Sequence, residues 1–82
     1  MQIDILKALA DTSRLALLKA LSKRGQCACV LPDIVDKSQP TVSAHLRVLR
    51  KAGLVDMRKD GTRRIYSLSP LGKRVLDQIN GW

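Results

Sequence analysis

The segment of residues 38–55 constrains the fold more than any other part of the chain, because it predicts a single capped helix with two unlike faces. Ser38 is a typical N-cap residue, and Pro40 is compatible with a first helical turn but not with a later one. Gly53 stands where a helix commonly ends in a left-handed residue. At helical spacing one face is apolar and the opposite face is polar to basic. The apolar face consists of Val42, Leu46 and Leu49.

Three shorter helices are predicted ahead of this segment. The first covers about 3–10, the second follows the capping residues 11–13 and runs to about 23, and the third runs from about 30 or 31 to 36. Asp11, Thr12 and Ser13 offer capping side chains for the second helix. Gly25 is expected to end that helix in a left-handed conformation. Pro32 suits the first turn of the third helix. Because few residues separate the third helix from the long one, the pair predicts a helix-turn-helix.

After Gly53 the pattern alternates between apolar and polar residues, which predicts a hairpin of strands 54–59 and 63–68 around an Asp60-Gly61 turn. Ser69 then caps a last helix that runs to about residue 80. The predicted fold is mainly α (α+β), a winged helix-turn-helix of order α-α-α-α-β-β-α. The 82 residues are expected to form one domain, 1–82.

The formal net charge of +8 is unevenly distributed, since residues 38–82 hold nine Lys and Arg against three Asp. A basic region of this kind is typical of proteins that bind a polyanion. A membrane surface is a poor alternative because there is one Tyr, one Trp and no Phe to anchor the chain. With no long apolar run and no signal-peptide pattern, we expect a cytoplasmic protein without a membrane partner.

Double-stranded DNA is the polyanion that this arrangement favours, with the long helix in the major groove. Gln39 can pair bidentately with adenine, and small polar side chains beside it can reach base edges. Cations of the hairpin can contact backbone phosphates, which makes binding sensitive to salt. His45, beside the apolar face, is expected to be packed and hydrogen-bonded rather than to bind metal. The predicted DNA-binding residues are Gln39, Pro40, Thr41, Ser43, Ala44, Arg47 and Lys51 of the helix and Arg58, Lys59, Arg63 and Arg64 of the hairpin.

Three segments resemble the ArsR/SmtB family of prokaryotic metal-sensing repressors, namely 8–15, 38–55 and 65–68. The resemblance covers nearly the whole chain, and the middle segment is the most specific. It implies a homodimer, held by the first and last helices, that binds an operator palindrome and leaves it when a ligand binds. The dimer face that it implies consists of Ile3, Leu6, Leu9, Leu71, Val75 and Ile79, with Trp82 as a further candidate.

The cysteines form a Cys27-Ala28-Cys29 motif, where the resemblance implies a site for arsenite, antimonite or another soft metal ion that acts as inducer. Two residues apart, the sulfurs share one side of an extended segment but not of a regular helix. Some arsenic sensors carry a third cysteine where this chain has Pro32, and the lead and cadmium type adds cysteines from an N-terminal extension, whereas none precedes Cys27 here. The last helix lacks the His or Glu of a zinc or nickel site.

Three other interpretations use the same residues. The first keeps DNA binding and makes Cys27 and Cys29 a thiol redox switch. The second is a thiol enzyme, which is disfavoured because no acid or base can be named beside the cysteines, so we expect no enzymatic activity. The third is a protein-interaction domain that ignores nucleic acid.

Overall fold

The computed structural model describes residues 2–81, with side chains from Ile5 to Gly81. No helix within this range is long and apolar enough to cross a membrane. The chain forms five helices and three strands in the described range. In chain order they are α1 (Gln2–Leu9), α2 (Thr12–Lys23), β1 (Gln26–Cys27), α3 (Leu31–Val35), α4 (Gln39–Lys51), β2 (Val55–Asp60), β3 (Arg63–Leu68) and α5 (Pro70–Asn80).

The predicted winged helix-turn-helix is confirmed, with one strand that the sequence did not predict. β1 pairs antiparallel with β3, so the sheet has the order β1-β3-β2. Gln26 lies opposite Tyr66, and Cys27 lies opposite Ile65. A strand of two residues is too short to show alternation, and its partner lies far along the chain. Local sequence therefore gave no signal for it.

The prediction of a left-handed Gly25 is wrong. α2 ends at Lys23, and Arg24 is extended, with φ −174° and ψ 165°. Among the described glycines only Gly53 and Gly61 have positive φ. The physical reason is the pairing of β1 with β3, because the chain must leave α2 extended to reach that strand. A Cβ on Gly25 would lie 3.4 Å from Cγ2 of Ile65, an ordinary van der Waals contact, so this position does not require glycine.

The hairpin of β2 and β3, hereafter the wing, is confirmed, with β3 at its predicted bounds and β2 one residue later than predicted, at 55–60 instead of 54–59. Asp60 still belongs to β2 and pairs with Arg63, so the loop is Gly61 and Thr62. Gly61 has φ 64°. This positive φ matches what a tight two-residue hairpin loop requires at its first position.

One hydrophobic core joins the helices to the wing. The predicted apolar face of α4 is confirmed, since Val42, Leu46 and Leu49 are at most 1% exposed. They pack with apolar side chains of α2, α3 and the start of β2. The fully buried large side chains are Leu17, Leu18, Leu31, Val42, Leu46, Leu49, Leu54 and Val55. Because α4 and β2 share this core, the position of α4 relative to the wing is fixed.

Both ends of α4 are closed by local hydrogen bonds. Oγ of Ser38 accepts from the backbone N–H of Thr41 at 3.3 Å. At the other end Gly53 donates to the carbonyl of Arg50 and Leu54 donates to that of Leu49, each at 3.0 Å. This is a Schellman motif, with Gly53 at φ 80°. It sets the direction in which the chain enters β2.

The start of α5 is attached to the end of α4. Oγ of Ser69 donates to the carbonyl of Gly53 at 2.6 Å and accepts from the N–H of Gly72 at 2.9 Å. The N–H of Ser69 donates to the carbonyl of Leu54 at 3.1 Å. One buried serine therefore caps α5 and connects it to the turn after α4.

Candidate nucleic-acid interface and cysteine site

The polar face of α4 does not pack into the hydrophobic core and is exposed to solvent. All seven of its predicted DNA-binding residues are exposed: Gln39, Pro40, Thr41, Ser43, Ala44, Arg47 and Lys51. The hydroxyl of Thr41 is engaged locally, because it accepts from Oγ of Ser38 at 2.9 Å. The other polar side chains on this face make no side-chain hydrogen bond within the described range, so their donors and acceptors face solvent.

The wing carries its four cations close to the loop. Arg58, Lys59, Arg63 and Arg64 are all exposed. Lys59 lies directly opposite Arg64 across the strands. Like charges placed opposite each other repel, and a polyanion relieves that repulsion. Among side chains 5–81 none of the four is in an ion pair.

The two cysteines meet at a turn that directly follows β1, not along an extended segment, and the N–H of Val30 closes this turn by donating to the carbonyl of Cys27 at 3.1 Å. Cys27 lies in β1 and is 7% exposed, whereas Cys29 lies in the following turn and is exposed. The structure joins them as a disulfide, with their Cα atoms 5.1 Å apart. The N–H of Cys29 also contacts Sγ of Cys27 at 3.2 Å. The chain conformation thus brings both sulfurs to one point.

This pair opens onto a cleft of about 420 Å³ between α4 and the wing. The cysteine segment forms one wall and the two basic elements form the others. The lining residues include Arg47 and Arg50 of α4 and Arg63 and Arg64 of the wing. Predicted sensor residues and predicted DNA-binding residues therefore face the same space.

Backbone pairing connects the cysteines to the wing as well. The N–H of Ala28, between the two cysteines, donates to the carbonyl of Arg64 at 2.9 Å. Cys27 is paired with Ile65 in the neighbouring register position. A change in the backbone of the Cys-Ala-Cys motif must therefore act on the wing close to its loop, at Arg64 and Ile65.

The ligand set around the cysteines is limited to their own sulfurs. Among the side chains that the structure describes, no group of three or more His, Cys, Asp or Glu could hold a metal ion. Two thiolates on one side still suit a soft ion. A ligand that requires a third donor must obtain it from another molecule.

Arg14 of α2 connects the end of α1 to α4, a role that the sequence did not predict. Its Nε donates to the carbonyl of Ala8 at 2.8 Å and its Nη2 donates to that of Lys7 at 2.9 Å, which closes the end of α1. Its Nη1 lies 3.3 Å from Nδ1 of His45 in α4. Arg14 belongs to a segment that carries the family resemblance, but its contacts depend on the tertiary fold.

Asp11, at the start of α2, also lies close to His45 of α4. Its carboxylate caps α2 by accepting from the backbone N–H groups of Ser13 and Arg14, at 2.8 and 3.1 Å. The hydrogen bond from the N–H of Arg14 is the main cause that lowers the pKa of Asp11 below its ordinary value of 3.8. Nε2 of His45 lies 3.9 Å from the same carboxylate. His45 therefore contacts polar groups of α2, as expected of a structural residue.

The predicted dimer residues of α1 and α5 differ in their surroundings, since Leu6 is exposed whereas Leu9, Leu71 and Val75 pack against the core. Leu6 is 66% exposed, an unusual environment for a leucine. Leu9, Leu71, Val75 and Ile79 are partly buried. The side chains of Ile3 and Trp82 lie outside the described residues.

The sequence pattern of the arsR family of bacterial regulatory proteins matches residues 11–57 of this chain. An uncharacterised HTH-type transcriptional regulator of Methanocaldococcus jannaschii is 47% identical over 64 residues, which are 77% of this chain and 72% of that protein. The arsenical resistance operon repressor of Escherichia coli is 45% identical, over 83% of this chain and 59% of the repressor. That of Staphylococcus aureus is 44% identical, over 92% of this chain and 69% of the repressor.

Solved structures show the same architecture. HlyU from Vibrio cholerae superimposes with a TM-score of 0.85 at 32% identity, covering 95% of this chain and 86% of HlyU. The homodimeric winged helix-turn-helix DNA-binding domain of Mb0332 from Mycobacterium bovis gives 0.88 at 28% identity, covering 95% of this chain and 73% of that domain. Both likenesses extend over nearly the whole of this chain.

Proposed function

Because the chain belongs to the arsR family of bacterial DNA-binding regulatory proteins, we propose that it is a repressor released from its operator by a soft metal or metalloid at Cys27 and Cys29. Arsenite and antimonite are the favoured inducers. The observation that carries this proposal is the cleft that the cysteine pair shares with α4 and the wing. The likeness to two arsenical resistance operon repressors supports the choice of inducer.

In the repressing state α4 lies in the major groove and the wing contacts the flanking backbone. The exposed Gln39 and Ser43 are suited to base edges, and Arg47 and Lys51 to phosphates. Arg63 and Arg64 add phosphate contacts from the wing. Each phosphate contact releases counterions, so affinity falls as salt rises.

A homodimer presents two copies of α4 to the two halves of a palindrome. The exposed Leu6, together with the partly buried apolar side chains of α5, supports a dimer face on α1 and α5. These side chains are Leu71, Val75 and Ile79. The M. bovis domain with the same fold is homodimeric.

Inducer binding acts on the DNA surface by two routes. A ligand on the two sulfurs occupies space between α4 and the wing, where a DNA strand must enter. It also reshapes the Cys-Ala-Cys backbone, which is hydrogen-bonded to Arg64 in β3. Coupling of this kind typically changes affinity by about 5–150-fold.

The experiment is an operator titration of the reduced protein with arsenite, antimonite, cadmium, lead and zinc in turn, read by fluorescence anisotropy. We expect arsenite to release DNA from the wild type. Cys29→Ser, at an exposed position, should keep its DNA affinity to within about twofold. Neither Cys29→Ser nor Cys27→Ser, at a buried position, should respond to arsenite. Release of either serine variant by arsenite would contradict the assignment of the inducer site.

The DNA surface is tested separately with the double variant Arg63→Ala/Arg64→Ala. We expect weaker operator binding, with the salt slope reduced by about one for each lost phosphate contact. The matched control is Lys19→Ala/Lys23→Ala, which removes the same charge from exposed positions of α2. Equal losses in the two variants would show that net charge, not the wing, governs binding.

A thiol redox switch is the second candidate, favoured by the disulfide that joins Cys27 and Cys29. Here an oxidant, not a metalloid, removes the protein from DNA. Intact-mass measurement separates the two candidates. An arsenic adduct that blocks both thiols supports the metalloid, whereas a loss of two hydrogens upon release of DNA by a mild oxidant, with no response to arsenite, supports oxidation.

A further inference from the structure

The cysteine site lacks one sulfur for a trivalent metalloid. The chain has two cysteines, and both are in this pair. Arsenous acid has three hydroxyl groups, each of which a thiol can replace. Two thiolates therefore leave one valence open, and no other His or carboxylate forms a ligand group with the pair among the described side chains.

The third valence of arsenic would face a cleft whose charged lining residues are all positive. Arg47, Arg50, Arg63 and Arg64 line it, and among side chains 5–81 no Asp or Glu does. None of these guanidinium groups is ion-paired within residues 5–81. The cleft, at about 420 Å³, falls within the range of about 300–1,000 Å³ that is typical of small-molecule sites.

We propose that this cleft binds a low-molecular-weight thiol that bears carboxylate groups, whose sulfur is the third ligand of the bound metalloid. The proposal rests on the proposed function, because it needs arsenite at Cys27 and Cys29. The sulfur of the small thiol bonds to arsenic, and its carboxylates pair with the arginines. Guanidinium groups suit this task because they bind carboxylates through paired hydrogen bonds.

The chemistry is ligand exchange without oxidation or reduction. Arsenous acid reacts with the thiols of Cys27, Cys29 and the small molecule. Three As–S bonds replace three As–O bonds, each thiol proton leaves with a hydroxyl group as water, and arsenic remains As(III). The disulfide of the oxidised pair must first be reduced in a separate step, in which two molecules of a small thiol are oxidised to their own disulfide and leave Cys27 and Cys29 as thiols.

The charge of the small thiol determines how tightly the cleft binds it. A neutral thiol gains only the As–S bond, whereas an acidic one also gains charge-assisted hydrogen bonds to arginine. A cationic thiol is repelled by the four guanidinium groups. The acidic thiol also covers arginines that we assign to DNA phosphates, so the ternary complex opposes DNA binding more strongly than arsenite alone.

The test compares 3-mercaptopropionate with 3-mercaptopropionamide, which differ only in the carboxylate. Protein is reduced with a phosphine, desalted without oxygen and loaded with arsenite. Native mass spectrometry then follows each thiol as it adds to the complex, and cysteamine serves as the cationic thiol. We expect the acid to bind at least about tenfold more tightly than the amide, as charge-assisted bonds predict. Cysteamine should bind most weakly.

The same titration on two variants assigns the selectivity to the cleft. Arg63→Ala/Arg64→Ala should reduce the difference between acid and amide to about twofold or less, while Lys19→Ala/Lys23→Ala keeps it. Equal binding of acid and amide to the wild type would overturn the proposal and leave the arsenite site intact. If reduced protein formed no arsenite adduct at all, the inducer assignment would fail together with this proposal.

Discussion

Ala28 and Arg64 are joined by a backbone hydrogen bond of 2.9 Å, in which the N–H between the two cysteines donates to a carbonyl of the wing. Beyond it Cys27 and Gln26 continue the pairing with β3. The strand that contains Cys27 thus belongs to the sheet that bears the wing. A ligand that bends the Cys-Ala-Cys motif must break or shift this pairing. Ligand binding would therefore be coupled directly to the conformation of the wing.

Ala28→Pro tests this route, because proline removes the donor while its preference for extended neighbours suits β1. We expect arsenite to bind the variant with unchanged stoichiometry. The release of DNA should weaken by about fivefold or more, at the lower end of typical coupling. Mass spectrometry measures the first quantity and anisotropy the second.

The control for this variant is Ala28→Ser, which keeps the N–H and should respond as the wild type does. Full release of DNA from the proline variant would mean that the hydrogen bond to Arg64 carries no coupling. Occupation of the cleft would then be the remaining route.

Protection of the cysteines by DNA is expected from the proposed function, because both cysteines line the cleft between α4 and the wing. Cys29 is exposed in the free protein and open to alkylation. Operator DNA at saturation should slow the reaction of the reduced pair with iodoacetamide by about tenfold, since only the small free fraction reacts. Mass spectrometry gives the rate.

A Ser22→Cys change in a Cys27→Ser/Cys29→Ser background provides the reference thiol. Ser22 is exposed on α2, and its hydroxyl contacts only the carbonyl of Lys19. Its alkylation should be the same with and without DNA. Equal rates at Cys29 with and without operator would exclude occlusion of the pair by DNA.

The sequence predicted the parts of this molecule that local patterns encode. The caps Ser38 and Ser69, the apolar face of α4 and the hairpin all have signals within a few residues. β1 and the contacts of Arg14 do not, because their partners lie in distant elements. The cysteine pair was recognised as a candidate site, but its position between α4 and the wing follows from β1, which only the fold reveals.

Gly72 is expected to be indispensable to the packing of α5. A Cβ at this position would lie 2.0 Å from the carbonyl oxygen of Leu54, which is backbone and cannot turn away. Gly72→Ala should therefore cost about 3 kcal/mol, the upper part of the overpacking range, although alanine favours helices. Urea unfolding measures this loss.

Gly81→Ala is the matched glycine control. Gly81 has φ −80°, and its Cβ would lie 3.4 Å from the carbonyl of Asp77. We expect its free energy of unfolding to stay within about 0.5 kcal/mol of the wild type. A Gly72→Ala protein of wild-type stability would contradict the close packing of α5 on Leu54.

Asp11 should make the stability of the fold depend on pH in the acidic range. Its pKa is lowered in the folded protein, first by the hydrogen bond from the N–H of Arg14 and also by the charges of His45 and Arg14. The carboxylate therefore stabilises the fold fully above its unfolded pKa, about 3.9. This contribution is lost as the pH falls through the lower folded value.

Asp11→Asn keeps an oxygen that can cap α2 but removes the charge. We expect its urea midpoint to lie below that of the wild type at about pH 5, with the difference closing below about pH 4. Asp56→Asn, at an exposed position of β2, is the control and should show no such change in this range. A difference for Asp11→Asn that stayed the same down to pH 2.5 would refute the role of the charge, and would leave the cap itself as the source of the effect.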